Sequence, residues 1–198
     1  MRKFLYIIIL MSLTSCSAQK GEYDAINDFL EAELSEKLYD TIYIIENPIK
    51  RVEIIKLYEQ AYNERLLNNE HPKGTWVTPS IADWPLGITE IEQFKKDLKD
   101  EKASKNWESN DFRNKNFIIL PEKIIRNKDF IIKHVSVKNY VFNLSKPIFN
   151  KNKNVVMFQF YPSLMVGGVF FNNKGLILMK KENGKWVLVS SIREAVYY

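Results

Sequence analysis

Apolar positions in the first half of the chain recur at helical spacing. Ile26, Phe29, Leu30 and Leu34 fall on one face of a segment that Asp24 can cap. A short strand, Thr41 to Glu46, follows it. Asn47-Pro48 is an N-cap with proline at the first helical position, and Val52, Ile55, Tyr62 and Leu66 then line one stripe of a second helix that stops near Asn68. After a loop from Asn69 to Ile88, Thr89 with Glu92 forms a capping box, and Ile91, Phe94 and Leu98 mark the apolar side of a third helix. Its mixed charges from Lys95 to Lys105 form a solvated face.

The second half changes to short runs of branched and aromatic residues: Phe117 to Leu120, Phe130 to His134, Val137 to Phe142, Val155 to Tyr161 and Leu176 to Glu182. These predict strands. Asn183-Gly184 suits the two positive-φ sites of a type I′ turn, so Leu176 to Glu182 and Lys185 to Ser191 form the clearest hairpin in the chain. Helices first and strands later predict an α+β fold, with N-terminal helices packed on a C-terminal antiparallel sheet. The ending Gly184-Lys185-Trp186-Val187-Leu188-Val189 resembles the last strand of cone-shaped NTF2-like domains.

The N-terminus has a different pattern. Arg2 and Lys3 precede an apolar run from Phe4 to Leu13 that is too short to cross a bilayer, which is the layout of a secretory signal. Leu13-Thr14-Ser15-Cys16 resembles the lipobox of bacterial lipoproteins. That resemblance implies cleavage before Cys16 and acylation of its thiol and new amino group. It divides the chain into a signal peptide (1–15), a short lipid-anchored tether (16–23) and one globular domain (24–198). Cys16 is the only cysteine, so the domain carries neither a disulfide nor a thiol for catalysis. Two or more acyl chains, at about 0.8 kcal/mol per buried methylene, make attachment effectively permanent. Ser17 is not the aspartate that resembles an inner-membrane retention signal, so the expected location is the outer membrane of a bacterial envelope. At roughly 3.3 Å per residue, the tether from Ser17 to Tyr23 keeps the domain within about 25 Å of the head groups. Ser145-Lys146-Pro147-Ile148-Phe149, the strand after it and the Asn-Gly-Lys-Trp hairpin also resemble small bacterial envelope lipoproteins, a likeness that supplies no activity.

The search for chemistry returns mainly absences. There is no phosphate loop or dinucleotide fingerprint, and Gly167-Gly168 reads as a turn or bulge. His71 and His134, the only histidines, lack partners at ligand spacing, so no metal and no cofactor is expected. No Gly-x-Ser-x-Gly elbow marks a nucleophile. The unusual stretch is Asn69 to Ile88, which holds Trp76, Trp84, His71, Asp83, Pro72, Pro79 and Pro85 between two helices. Loops of this length are often functional, and indole faces stack on sugars or peptide side chains. Trp76, Trp84 and Trp107 are therefore candidate ligand-binding residues, with a lid packed down on the core as the competing reading. Trp186 alternates with Val187 and Val189 and belongs to a sheet.

The chain carries a formal net charge of +5, unevenly spread. Residues 17–112 hold 12 basic and 20 acidic side chains, whereas 113–198 hold 15 basic and 4 acidic. Either helices neutralise the sheet they cover, or a basic surface faces anionic lipid or polysaccharide; the candidates for such a surface are Lys115, Lys123, Arg126, Lys128, Lys151 and Lys153. Nucleic acid does not fit the expected compartment. The functional expectation is a membrane-anchored, non-catalytic binding or accessory module, which takes an anionic lipid, polysaccharide or envelope protein as partner. The alternatives are an envelope hydrolase and an immunity or inhibitor protein acting through the aromatic loop. Cys16→Ala is expected to abolish acylation and leave the precursor uncut, as measured by incorporation of labelled palmitate. A wild-type chain that takes up no label and fractionates as soluble refutes the lipobox.

Overall fold

The structure, a computed structural model, describes residues 21–35, 39–67, 74–101, 104–134, 136–165 and 175–195. The signal segment, the lipobox from Leu13 to Cys16, the tether through residue 20, His71, Pro72 and Gly167-Gly168 lie outside them. The described elements run α1 (Asp24–Ser35), β1 (Thr41–Ile45), α2 (Val52–Glu64), β2 (Thr75–Thr78), α3 (Ile88–Leu98), a 3₁₀ turn (Ser109–Asp111) and β3 (Ile118–Leu120). Then come α4 (Glu122–Ile125), α5 (Lys128–His134), β4 (Ser136–Leu144), β5 (Ile148–Phe149), β6 (Val155–Met165), β7 (Gly175–Glu182) and β8 (Lys185–Glu194). The strands form one sheet in the order β2-β8-β7-β6-β4-β1-β3, with β5 also paired to β6. The fold is α+β, on a sheet that is mostly antiparallel.

Helices cover both faces of that sheet. On the first face Val156, Phe158 and Phe160 of β6 join Ile177 and Met179 of β7 beneath Ala25, Ile26, Phe29 and Leu30 of α1. The Phe29 ring meets Phe158 and Phe160 edge-on at 5.5 and 5.0 Å. On the second face Met157, Leu176, Leu178 and Ile192 lie under Ile54, Ile55 and Tyr58 of α2 and Ile91 of α3. Farther across that face Tyr43, Ile45, Val141 and Met165 lie under Ile125 of α4 and Phe130 of α5. Each large side chain buried this way contributes about 1.5–3 kcal/mol.

The sheet ladder is interrupted between β4 and β5. Pro147 has no N–H to give the ladder, so Ser145-Lys146-Pro147 bulges before β5 resumes pairing with β6. The Ser145 hydroxyl accepts the Gln159 N–H at 2.8 Å, which closes the gap. The bulge turns Lys146 inward. Its Nζ lies 3.5 Å above the Trp107 ring centroid and donates to the Tyr23 hydroxyl at 3.2 Å and to Asp111 Oδ2 at 3.3 Å. Burial lowers the Lys146 pKa, and Asp111 opposes that shift. Burial first, then Glu22 and Asp111, push the Tyr23 hydroxyl up to about 12.

Several local expectations change in the structure. Phe130 to His134 is helix, not strand: Asn127 Oδ1 accepts the N–H groups of Asp129 at 2.9 Å and Phe130 at 3.2 Å and so caps α5. Helical spacing then stacks Phe130 on His134, with centroids 4.4 Å apart. The second helix starts at Val52, because Ile49 pairs with Ser145 and donates its N–H to Leu144 O at 2.9 Å. The third helix is capped at Gly87, whose N–H is accepted by Glu90 Oε2 at 3.0 Å, and not by Thr89 with Glu92. The stretch from Asn69 to Ile88 contains a strand, β2, paired antiparallel to β8. The sheet is mixed, since β1 runs parallel to both β3 and β4. Ile42-Tyr43-Ile44-Ile45 is an unbroken apolar run buried on both faces, as parallel strands require.

The hairpin forms as expected, with Asn183 at φ 49° and Gly184 at φ 82°. Trp186 is 8% exposed, packs 5.7 Å from Phe149 and donates its N–H to Asp28 Oδ2 at 3.2 Å. A Cβ at Gly184 meets open space, so Gly184→Val is disfavoured by backbone conformation alone and should cost about 1–3 kcal/mol. Trp186→Ala should cost about 3–5 kcal/mol through lost burial. Urea midpoints of the domain from Ser17 measure both, and unchanged values would show that the hairpin is not part of the cooperative fold.

Candidate functional site

The segment linking β2 to α3 is pinned at both ends. Thr75 Oγ1 donates to Glu64 Oε2 at 2.6 Å, and Ser190 Oγ donates to Pro79 O at 2.7 Å. At the far end the Tyr58 hydroxyl donates to Leu86 O at 3.1 Å and accepts the Leu86 N–H at 3.3 Å. Between these anchors Trp84 packs edge-on against Tyr58 and Tyr62, at 5.3 and 5.6 Å, and remains half-buried.

Trp84 lines a cleft of about 630 Å³ at the hairpin end of the second sheet face. Asp83, Pro85 and Glu90 border it on one side and Asn150, Asn152 and Asn154 on another, with Lys180, Glu182 and Val187 to Val189 from the hairpin completing the lining. Some of these polar groups already have internal partners. Asn150 Oδ1 accepts the N–H groups of Asn154 and Val155, both at 3.0 Å, and its amide donates to Asn154 Oδ1 at 2.8 Å. Glu90 caps α3. Asp83 and Asn152 carry no hydrogen bond among the described residues, and Lys180 stands 4.0 Å from Glu182. Val187 and Leu188 are about half exposed, at 44% and 45%. The cleft therefore presents a half-buried indole and an apolar ledge beside the Asp83 carboxylate, the Asn152 amide and the Lys180–Glu182 pair, whose polar atoms are placed to bond a ligand.

The other aromatic candidates separate from Trp84. Trp76 is 63% exposed on edge strand β2 opposite Arg193, away from the cleft. Trp107 is 2% exposed, and its Nε1 donates to Leu144 O at 3.3 Å. It is a core residue, so the ligand-binding expectation for Trp107 is corrected: the bulge places Lys146 on its ring and the sheet closes over its edge. His134 Nδ1 is 2.9 Å from the Tyr43 hydroxyl. Sequence reading missed the asparagines of the cleft, although Asn150-Lys151-Asn152-Lys153-Asn154 is a visible polar run. Nothing in their spacing points to Trp84, which lies more than sixty positions earlier.

The basic candidates separate as well. Lys115 Nζ donates to Ser109 O at 2.9 Å and Phe112 O at 2.7 Å and so holds its own loop. Arg126 pairs with Glu122 at 2.7 Å. Lys151 and Lys153 project from the turn at the cleft, whereas Lys123 and Lys128 lie on α4 and α5. Three basic side chains from the second half pair with acids of the first: Arg113 with Asp24, Asp28 and Glu31, Lys146 with Asp111, and Lys138 with Asp40. Neutralisation between the halves operates at these points, while Lys123, Lys128, Lys151 and Lys153 have no ion pair among the described residues.

No protein-family model matches the chain, and comparison with curated proteins and with solved structures gives no match.

Burial pushes the Glu64 carboxyl up, but hydrogen bonds from the Thr75 hydroxyl, the Gln60 amide and the Gly74 and Thr75 backbone outweigh it and hold the pKa below the ordinary value. A carboxyl depressed in the folded state adds stability above its unfolded pKa, and that stability is lost as pH falls through the lowered one. Glu64→Gln should therefore narrow the gap between urea midpoints taken near about pH 7 and near about pH 3. An equal fall in wild type and variant would place the acid sensitivity elsewhere.

Proposed function

We propose that the chain is a lipid-anchored envelope protein acting as a binding module, with the Trp84 cleft as its site for a hydroxyl-rich ligand such as a cell-envelope saccharide. The attachment rests on the resemblance of Leu13-Thr14-Ser15-Cys16 to a lipobox; no helix among the described residues is long and apolar enough to cross a membrane. The observation that carries the ligand class is the composition of the cleft. Sugar rings expose C–H faces that stack on indole and hydroxyls that exchange hydrogen bonds with amides and carboxylates. Trp84 supplies the first kind of surface, and Asp83, Asn152, Glu182 and Lys180 the second. The breadth of the cleft suits an extended polar chain lying across it.

The test is a titration of the domain from Ser17 with soluble cell-wall oligosaccharides, followed by tryptophan emission and by amide chemical shifts. Shifts should cluster on Trp84, Asn152 and the hairpin. Trp84→Ala should weaken binding by about 2 kcal/mol, roughly 30-fold. Asn152→Ala, an exposed change that leaves the core intact, should weaken it by about 1 kcal/mol. Binding unaffected by either substitution would place the site elsewhere, and shortening of the oligosaccharide during the titration would make the cleft that of a hydrolase.

A further inference from the structure

The outward surface of α4, α5 and the neighbouring edge strand β3 is both apolar and basic. Ile125 of α4 and Phe130 of α5 occupy the inner positions against Tyr43, Val141 and Met165, and the two helices contact each other. Ile124 and Ile132 lie outside that packing, at 39% and 62% exposure, and Ile118 on β3 is 43% exposed. Lys123, Lys128 and Lys133 lie on the same two helices, exposed and without an ion pair or side-chain hydrogen bond among the described residues. Across residues 118–134 the charges are Lys123, Arg126, Lys128 and Lys133 against Glu122 and Asp129. Three exposed isoleucines fall within fifteen residues among basic side chains, and exposed apolar surface rimmed by polar residues marks protein or membrane contact sites.

We infer that this surface lies against an anionic bilayer, an inference that rests on the lipid-anchored reading above. Charge complementarity selects the occupant. Isoleucines among lysines match the boundary between acyl chains and negative head groups, where apolar tips enter the interface and ammonium groups stay in the phosphate layer. A tether of a few residues holds the domain within reach of that layer. The arrangement also keeps the proposed ligand site open. Four strand spacings separate β3 from β7, about 19 Å at roughly 4.8 Å per strand, so a membrane against α4 and α5 lies at the opposite edge of the sheet from the Trp84 cleft.

The experiment uses the full chain, purified from bacterial membranes and reconstituted into liposomes of phosphatidylcholine with or without phosphatidylglycerol. A fluorescent thiol label at Ile132→Cys reports contact through quenching by spin-labelled lipid, with a label at Asn152→Cys as control. Quenching at 132 on anionic liposomes, with little on neutral ones and none at 152, is expected. The triple change Lys123→Gln, Lys128→Gln and Lys133→Gln should lower the equilibrium for contact about 100-fold at low salt, taking about 1 kcal/mol per cation and about 1.4 kcal/mol per tenfold. A label at 132 that stays in water on both liposomes overturns the inference. So does equal protection on neutral liposomes and in lipid-free micelles, which signifies a second copy or another protein on this face. Failure of the anchor is read separately: a wild-type chain whose Cys16 accepts the label and which does not sediment with neutral liposomes overturns the anchoring, while charge-dependent sedimentation of that same chain with anionic liposomes still upholds the basic face.

Discussion

The fold depends on β6. Its eleven residues pair with β4 and β5 on one side and β7 on the other, and its side chains from Val155 to Tyr161 are buried on both faces. A strand in that position requires cover above and below, because either face left wet would expose a row of phenylalanine, valine and methionine. One helix, α1, suffices for the first face because Phe29 packs on both Phe158 and Phe160. The second face needs α2 and α3 at one end and the short α4 and α5 at the other. Those short helices have few inner positions, so two of their five apolar residues, Ile124 and Ile132, are left exposed.

Lys146 joins what β6 separates. It sits where proline interrupts the ladder, and its ammonium reaches the start of α1 through Tyr23 and the segment before β3 through Trp107 and Asp111. A lysine buried in this way is tolerable because two ring faces and a carboxylate replace its water. Tyr23, just ahead of α1, is thereby locked to the centre of the sheet. Arg113 reinforces the junction by gripping three acids along α1.

The cleft and the isoleucine-lysine surface use opposite ends of the same sheet. At the hairpin end, β7 and β8 run past the cover of α2 and α3, and Trp84 with the 150–154 turn walls the exposed remainder. At the other end the cover is thin and its outer side is sticky.

Reading residue by residue, the chain already determined its local elements wherever one interaction dominates. The 3.6-residue stripe of Ile26, Phe29 and Leu30, the Asn183-Gly184 turn, the strand that holds Trp186 and the structural role of that tryptophan followed from backbone and pattern alone. The resemblance to a lipobox is equally local, carried by the adjacent residues Leu13 to Cys16, which lie outside the described residues. What tertiary structure decided were the cases in which two local preferences compete. Phe130-Ile131-Ile132 has the composition of a strand, yet Asn127 caps it and Tyr43 receives its ring, so it is helix. Asn47-Pro48 has the chemistry of a helix start, yet Ile49 finds a partner in Ser145 and delays the helix to Val52. Trp76, Trp84 and Trp107 look alike in sequence but differ in surroundings: one stands on an open edge, one lines a cleft and one lies under a lysine. The cleft itself draws on four separated segments, and only the packing of β7 and β8 against α2, with α3 and the 150–154 turn beside them, brings them together, because burial depends on neighbours in space rather than along the chain.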